Sequence, residues 1–310
     1  MLAALFKMTR PKNIVIAVIT LVVGYALLKN YPSPLSLVLQ ALGFAFAIGF
    51  ANIQNDILDL ESDKMNRPER PLVTGKVSVK AARRAWIAMF ALMLLCGGGD
   101  SLVQTFGDNQ HFFWERWSAI CYLSFPLYFF LFLGLLLIAY NRWLKHIPLL
   151  KNMTVAFLCT TPLLFAVQHF FQFNTDCIHK EEFLWAIIPA IPFAFLLTTA
   201  REIYKDLEDE TGDLKAGIMT FPLIAGSATA RKLAGAIIVF TWISLPMPVY
   251  YIDQLFKFSY PPLFLIITGI TLTPCFAYVL VQAHRQKYRK AQSAVKIGMF
   301  LGLIALIVSC

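Results

Sequence analysis

Two acidic segments hold the residues best placed to do chemistry. The first reads Asn52-Ile-Gln-Asn55-Asp56-Ile-Leu-Asp59-Leu-Glu-Ser-Asp63, and the second Glu202-Ile-Tyr-Lys205-Asp206-Leu-Glu-Asp209-Glu-Thr-Gly-Asp213. Asn52, Asp56, Asp59 and Asp63 follow one another at steps of 4, 3 and 4, and so do Glu202, Asp206, Asp209 and Asp213. On a helix those steps put each set on one narrow stripe, with Asn55 widening the first. Carboxylates at i,i+4 repel, and a solvated helix end would mix its signs. Two such stripes therefore call for a counter-ion. Mg²⁺ suits them, because it takes hard oxygen ligands and is commonly held by a few carboxylates together with substrate phosphates. Two facing carboxylate helices with Mg²⁺ between them would make a diphosphate site.

The elements that carry these stripes lie in a strongly apolar chain. Of its 310 residues 58% are hydrophobic and only 15% charged, against about 25% charged in a soluble domain. That excludes a soluble enzyme, a disordered chain and a coiled coil. A bilayer span takes about 20 apolar residues. Nine candidates are found: 13–29, 35–55, 84–99, 119–139, 152–171, 183–200, 233–252, 261–282 and 291–310. The third is short unless it starts near Val79, and Gly97-Gly98-Gly99 reads as its stop. Runs such as Leu131 to Ile138 do not alternate, so a β-barrel is disfavoured. The expectation is an all-α polytopic membrane protein, one domain over 1–310, with nine transmembrane helices in one bundle and membrane lipid around it.

With the N-terminus inside, 23 of the 27 Lys and Arg residues fall on the inner side. This positive-inside bias places both acidic segments, at the ends of the second and sixth spans, on the cytoplasmic face of the cell membrane. Trp114, Trp117 and Tyr122 read as an outer interface belt. The net charge of +9 is spread between apolar runs, so no nucleic-acid partner is expected. Cys159 and Cys275 lie in apolar runs and read as core thiols, with no disulfide framework. The five His residues show no ligand spacing.

Asn55-Asp56-x2-Asp59-x3-Asp63 resembles the first aspartate motif of the UbiA superfamily of membrane prenyltransferases, and Asp209-x3-Asp213 is similar to its second, DxxxD. Arg70-Pro71-Leu72, Tyr140-x3-Leu144-Lys145 and Asp213-Leu-Lys-Ala-Gly217 also resemble that family, and the likeness covers essentially the whole chain. The stretch from Arg201 to Asp213 looks most like the geranylgeranylglyceryl phosphate geranylgeranyltransferase branch. The resemblance implies Mg²⁺-dependent loss of diphosphate from an allylic donor. In that branch the acceptor is a glycerol-phosphate lipid hydroxyl, and the product is an ether. An aromatic ring, as in quinone biosynthesis, is the alternative acceptor. A transporter with two acidic half-sites is a lesser alternative, because transport sites lie near the midplane and both stripes lie at helix ends.

By the same resemblance Asn55, Asp59, Asp63, Asp209 and Asp213 form the metal and diphosphate set, with Asp56 assisting. Glu202 and Asp206 support it or contact the acceptor, and either carboxylate could take the hydroxyl proton. Lys145, Arg142, Lys205, Arg67 and Arg70 are the cations available to the leaving diphosphate, although the positive-inside bias alone also supplies inner cations. Tyr140 belongs to the Lys145 motif. Asn13 and Asn152 could reach the headgroup, and a plain helix start explains Asn13 as well. Arg201 and Lys205 exceed what the donor needs, which suggests a second phosphate on the acceptor, although offsetting their acidic neighbours at i,i+4 or i,i+5 would explain them as well.

Overall fold

A computed structural model describes residues 1–106, 125–173, 184–185, 187–215, 217–247, 250–251 and 262–308. The described residues are helical, with no strand among them. The chain divides into two compact units, Met1–Leu21 with Tyr31–Trp143, and Val22–Asn30 with Leu144–Cys310.

The first unit contains α1 (Leu2–Met8), the start of α2 (Pro11–Leu28), α3 (Pro34–Leu58), α4 (Leu60–Asn66), α5 (Val79–Phe106) and α6 (Phe125–Arg142). Pro34 fits the first turn of α3, where no backbone donor is missed, and Ser33 Oγ accepts from Ser36 N at 3.2 Å. Ser78 Oγ caps α5 in the same way, accepting from Ala81 N at 3.2 Å. The third span thus starts at Val79 and is long enough to cross. The three glycines do not stop it, since α5 runs on to Phe106. The first of them, Gly97, seats α6 instead. A Cβ on Gly97 would lie 3.1 Å from the Phe130 ring and from the Pro126 carbonyl, and a Cβ on Gly43 would run into the same ring. Phe130 is fully buried between α3 and α5 because both offer it glycine.

Toward the other end of α3, Asp100 of α5 is fully buried. It accepts hydrogen bonds from Ser36 Oγ, from Gln40 Nε2 at 3.0 Å and from Gln104 Nε2 at 3.1 Å. A smaller apolar cluster of Met8, Ile53, Leu72, Val77 and Ala82 fastens α1 and the segment after α4 to α3 and α5. That cluster fixes the neighbourhood of the first acidic stripe.

The second unit holds the end of α2, a 3-10 turn (Leu144–His146), α7 (Leu150–Phe173), α8 (Ala190–Lys215), α9 (Phe221–Ala225), α10 (Ser227–Ser244), α11 (Pro262–His284) and α12 (Tyr288–Val308). Pro162 sits inside α7. It deprives the Leu158 carbonyl of its helical donor, and Thr161 Oγ1 donates to that carbonyl at 2.7 Å in its place. Helix α8 has two characters. Ala200, Ile203, Tyr204 and Leu207 are buried in a cluster with Ala234 and Ile238 of α10, Phe276 and Val279 of α11, and Ala291 and Val295 of α12. Its other stripe carries the second acidic set.

Seven described helices are long and apolar enough to cross a membrane: Pro11–Leu28, Pro34–Leu58, Val79–Thr105, Phe125–Arg142, Leu150–Phe171, Pro262–His284 and Tyr288–Val308. Nine were expected. The sixth candidate falls on α8, whose apolar stretch gives way to charge after Ala200, and the seventh falls on α10, which starts at Ser227 and carries Arg231 and Lys232 in its second turn. The fourth candidate is described from Phe125 onward, and Trp114, Trp117 and Tyr122 lie outside the described residues. Cys159 is exposed and Cys275 half-buried, so the former is no core thiol. An apolar run in a membrane bundle faces lipid as readily as core.

Candidate active site

In the first unit the acidic stripe crosses a helix junction. Asn55 and Asp56 end α3, Asp59 takes φ −93° and ψ 10° between the helices, and Asp63 stands on α4. The register survives the break, because Asp59 N donates to Asn55 O at 2.9 Å and Asp63 N to Asp59 O at 2.8 Å. Asn52, first in the 4-3-4 pattern, turns to backbone: its amide donates to Ile48 O at 2.9 Å.

Arg70 is the hub of this stripe. Its Nη1 donates to Asp56 Oδ1 at 2.9 Å and also to Asp63 Oδ2. Arg10 Nη2 adds a bond to Asp56 Oδ1 at 3.3 Å. Arg10 joins α1 to α2 at φ 56°, a left-handed conformation that costs a non-glycine residue free energy. Burial pushes the Asp63 carboxyl above its ordinary value, and Arg70 only partly offsets it. Lys7, Arg10, Asp56, Glu69 and Arg70 line an open cleft of about 150 Å³. Arg67 is exposed, and its backbone N–H donates to Asp63 O at 2.8 Å. Tyr140 is half-buried and Arg142 exposed near the end of α6. Between them Asn141, which sequence reasoning passed over, donates to Ala51 O and Gln54 Oε1, both at 2.9 Å. Asn13 is exposed in the first turn of α2, where its backbone N–H donates to Arg10 O at 2.9 Å.

In the second unit all four acids of the stripe stand on α8, and they divide into two kinds. Asp206 is buried with both oxygens committed, one to Lys151 Nζ at 2.7 Å and the other to Asn152 Nδ2 at 2.9 Å. Glu202 is also buried. Arg201 Nη2 donates to its Oε1 at 2.5 Å, and Lys205 Nζ lies 3.7 Å from Oε2. Burial alone pushes Glu202 up, but Lys205, Arg201, Lys151 and Lys296 together hold it below its ordinary value, so it stays ionised. Asp209 and Asp213 are half-buried and accept no side-chain hydrogen bond among the described residues. Burial pushes Asp213 up to about 6, against the pull of Lys151 and with the push of Asp206 and Asp209. Lys145 is half-buried on the 3-10 turn. Lys151 and Lys296 count in the sequence only as inner-side cations, and nothing in the spacing of Lys151 marks it as the partner of Asp206, 55 residues away.

Among the described residues no three His, Cys, Asp or Glu side chains come together as a ready-made metal cage. The donors are nevertheless the right kind for a hard cation. Mg²⁺ is usually held by one or two carboxylates and completes its shell with water and substrate phosphate. A stripe with two uncommitted carboxylates fits that habit better than a closed protein cage would.

The model of the UbiA prenyltransferase family matches residues 17–304. The chain belongs to the UbiA prenyltransferase family. It is a prenyltransferase and an integral membrane protein. A relative from Methanobrevibacter smithii, named digeranylgeranylglyceryl phosphate synthase, is 30% identical over 302 residues, covering 96% of this chain and 95% of its own. One of the same name from Methanopyrus kandleri is 30% identical over 306 residues, covering 99% and 98%. Among solved structures, a UbiA homolog from Aeropyrum pernix K1 superposes with a TM-score of 0.68 at 14% identity over 96% of this chain and 98% of its own. A UbiA homolog from Archaeoglobus fulgidus bound to GPP and Mg²⁺ does so with a TM-score of 0.60 at 19% identity, over 99% of each chain. These likenesses carry the fold of this prenyltransferase. The chemistry of its acceptor rests on its own residues.

Proposed function

We propose that this prenyltransferase transfers a prenyl group, geranylgeranyl in the favoured reading, from its diphosphate to a hydroxyl of a glycerol-phosphate lipid, forming an ether. The observation that carries this reading is the division of labour on α8. Asp209 and Asp213 are left open for a metal-bound diphosphate, while Glu202 sits ionised among cations that suit an acceptor carrying a multiply charged phosphate. The name shared by the relatives supports the acceptor.

In the first unit Asn55, Asp59 and Asp63 would hold Mg²⁺, with Asp56 held by Arg70 and Arg10 and Asp63 shared with Arg70, and in the second unit Asp209 and Asp213 would do so. When bound, the metal offsets the negative charge that builds on the diphosphate. The allylic carbon–oxygen bond breaks with its electron pair staying on the diphosphate oxygen. Lys145 in the second unit and Arg70 in the first are each available to a diphosphate as its charge develops. The acceptor hydroxyl oxygen then bonds to the allylic carbon, and its proton passes to the Glu202 carboxylate. Asp206, with both oxygens occupied, positions α7 against α8.

The deciding assay gives the purified protein Mg²⁺, labelled geranylgeranyl diphosphate, geranylgeranylglyceryl phosphate and 4-hydroxybenzoate, the two acceptors at equal concentration. The ether lipid is the expected product by mass spectrometry. Prenylation of the aromatic acid alone would overturn the acceptor.

The proposed arrangement is one domain of nine spans with its site on the cytoplasmic face. A single cysteine at Ser78, the cap of α5, should then resist a membrane-impermeant thiol reagent in intact cells. One at Tyr31, after α2, should react. The reverse pattern would invert the topology.

A further inference from the structure

Lys296 is a cation in a costly place. It lies on α12, eight residues past Tyr288, which is about 12 Å along the helix axis. That helix is one of the seven long enough to span the membrane. Ionisable groups inside a span are expensive and are kept where they have work to do. Among the described residues Lys296 forms no ion pair and no hydrogen bond. The charged groups that act on it are Arg201, Glu202, Lys205 and Glu208. Glu208 already accepts from Gln292. Three cations, Arg201, Lys205 and Lys296, face two carboxylates, Glu202 and the exposed Glu208, and only Glu202 is buried among them. The fourth cation acting on Glu202, Lys151, is bonded to Asp206. The local balance is one positive charge in excess. A phosphate monoester carries about −1.5 to −2 at neutral pH.

We infer that Arg201, Lys205 and Lys296 form the cradle for the phosphate of the acceptor, with Lys296 as the residue that selects a phosphorylated acceptor over an uncharged one. This rests on the glycerol-phosphate reading above. The geometry of glycerol supports it. Every hydroxyl of a glycerol phosphate lies on the carbon next to the phosphate-bearing carbon or one further. A site that holds the phosphate must therefore lie within a side chain's reach of the group that takes the hydroxyl proton. The cradle surrounds Glu202 and so meets that condition. The Lys205 side chain is 43% exposed and Lys296 is exposed, so both ammonium groups remain open to an incoming headgroup.

The test compares wild type with Lys296→Gln and Lys296→Arg in detergent. The first readout is equilibrium binding of labelled geranylgeranylglyceryl phosphate without donor or Mg²⁺. The second is the pair of Michaelis constants. Lys296→Gln should weaken acceptor binding and raise the acceptor KM by about tenfold, the scale of one charge-assisted hydrogen bond. Donor KM and kcat should stay within about twofold, and Lys296→Arg should recover most of the loss. The dephosphorylated lipid should bind wild type and Lys296→Gln alike. Inorganic phosphate should displace the phosphorylated lipid from wild type more readily than from the glutamine variant. Unchanged acceptor binding in Lys296→Gln overturns the cradle. An equal rise in donor KM also overturns it, placing Lys296 on the leaving diphosphate. If wild type prenylates only the aromatic acid, the glycerol-phosphate reading itself fails, and the competition assay reports that separately.

Discussion

Replacing Asp213 with Asn, or Asp59 with Ala, should lower turnover by at least about 10²–10³-fold, as expected when a group that holds charge-stabilising machinery at the reacting centre is lost. The Asp213 variant should not unfold more easily than wild type. In the fold, burial raises this carboxyl to about 6, and Asp206 and Asp209 push in the same direction. A carboxyl raised in the folded state favours folding only while protonated, so above pH 6 its ionised form weakens the fold. Asparagine removes that charge. Activity should therefore vanish while the thermal midpoint in detergent holds or rises. EDTA should silence the wild type and Mg²⁺ should restore it. Near wild-type turnover in either variant would remove that residue from the metal set.

Asp206→Leu should do the opposite, weakening the fold before the chemistry can be asked about. Its carboxylate is buried and bonded on both oxygens, and the Lys151 side chain is only 19% exposed. Removing one partner of a buried pair strands the other charge, at a cost of about 3–5 kcal/mol. The midpoint should fall sharply. Lys151→Met combined with Asp206→Leu should recover part of the loss, because two apolar side chains leave no stranded charge. An Asp206→Leu protein with a wild-type midpoint and no turnover would return Asp206 to the role of proton acceptor.

The sequence made the helical class and both stripes legible because each is a local, periodic signal. Apolar runs and steps of 4, 3 and 4 survive folding unchanged, and α8 carries its four acids as the spacing requires. The division of those acids into committed and open was not legible. It depends on Lys151 and Asn152, which reach Asp206 from α7 across more than 50 positions. Arg70 illustrates the same limit from the other side. Its Arg-Pro-Leu context marked it for a phosphate, yet in the structure it bonds Asp56 and Asp63. The three glycines were misread for a related reason. Glycine ends a helix when nothing leans on it, but Phe130 leans on Gly97, and that partner lies outside any local window.

Asp100 bears on how the protein is made. An aspartate near the middle of a helix costs about 2.5–3.5 kcal/mol to insert into a bilayer, and less toward the ends. Gln104 is the only one of its three hydrogen-bond partners that travels on the same helix. Ser36 and Gln40 arrive on α3, which leaves the ribosome first. When α5 enters the membrane, donors for its carboxylate are thus already present, and the helix can be released from the insertion machinery beside α3 rather than alone. Chain order here supplies part of the solvation that the lipid withholds. The same sequence permuted so that α5 preceded α3 would ask the bilayer to receive that carboxylate before two of its three donors exist.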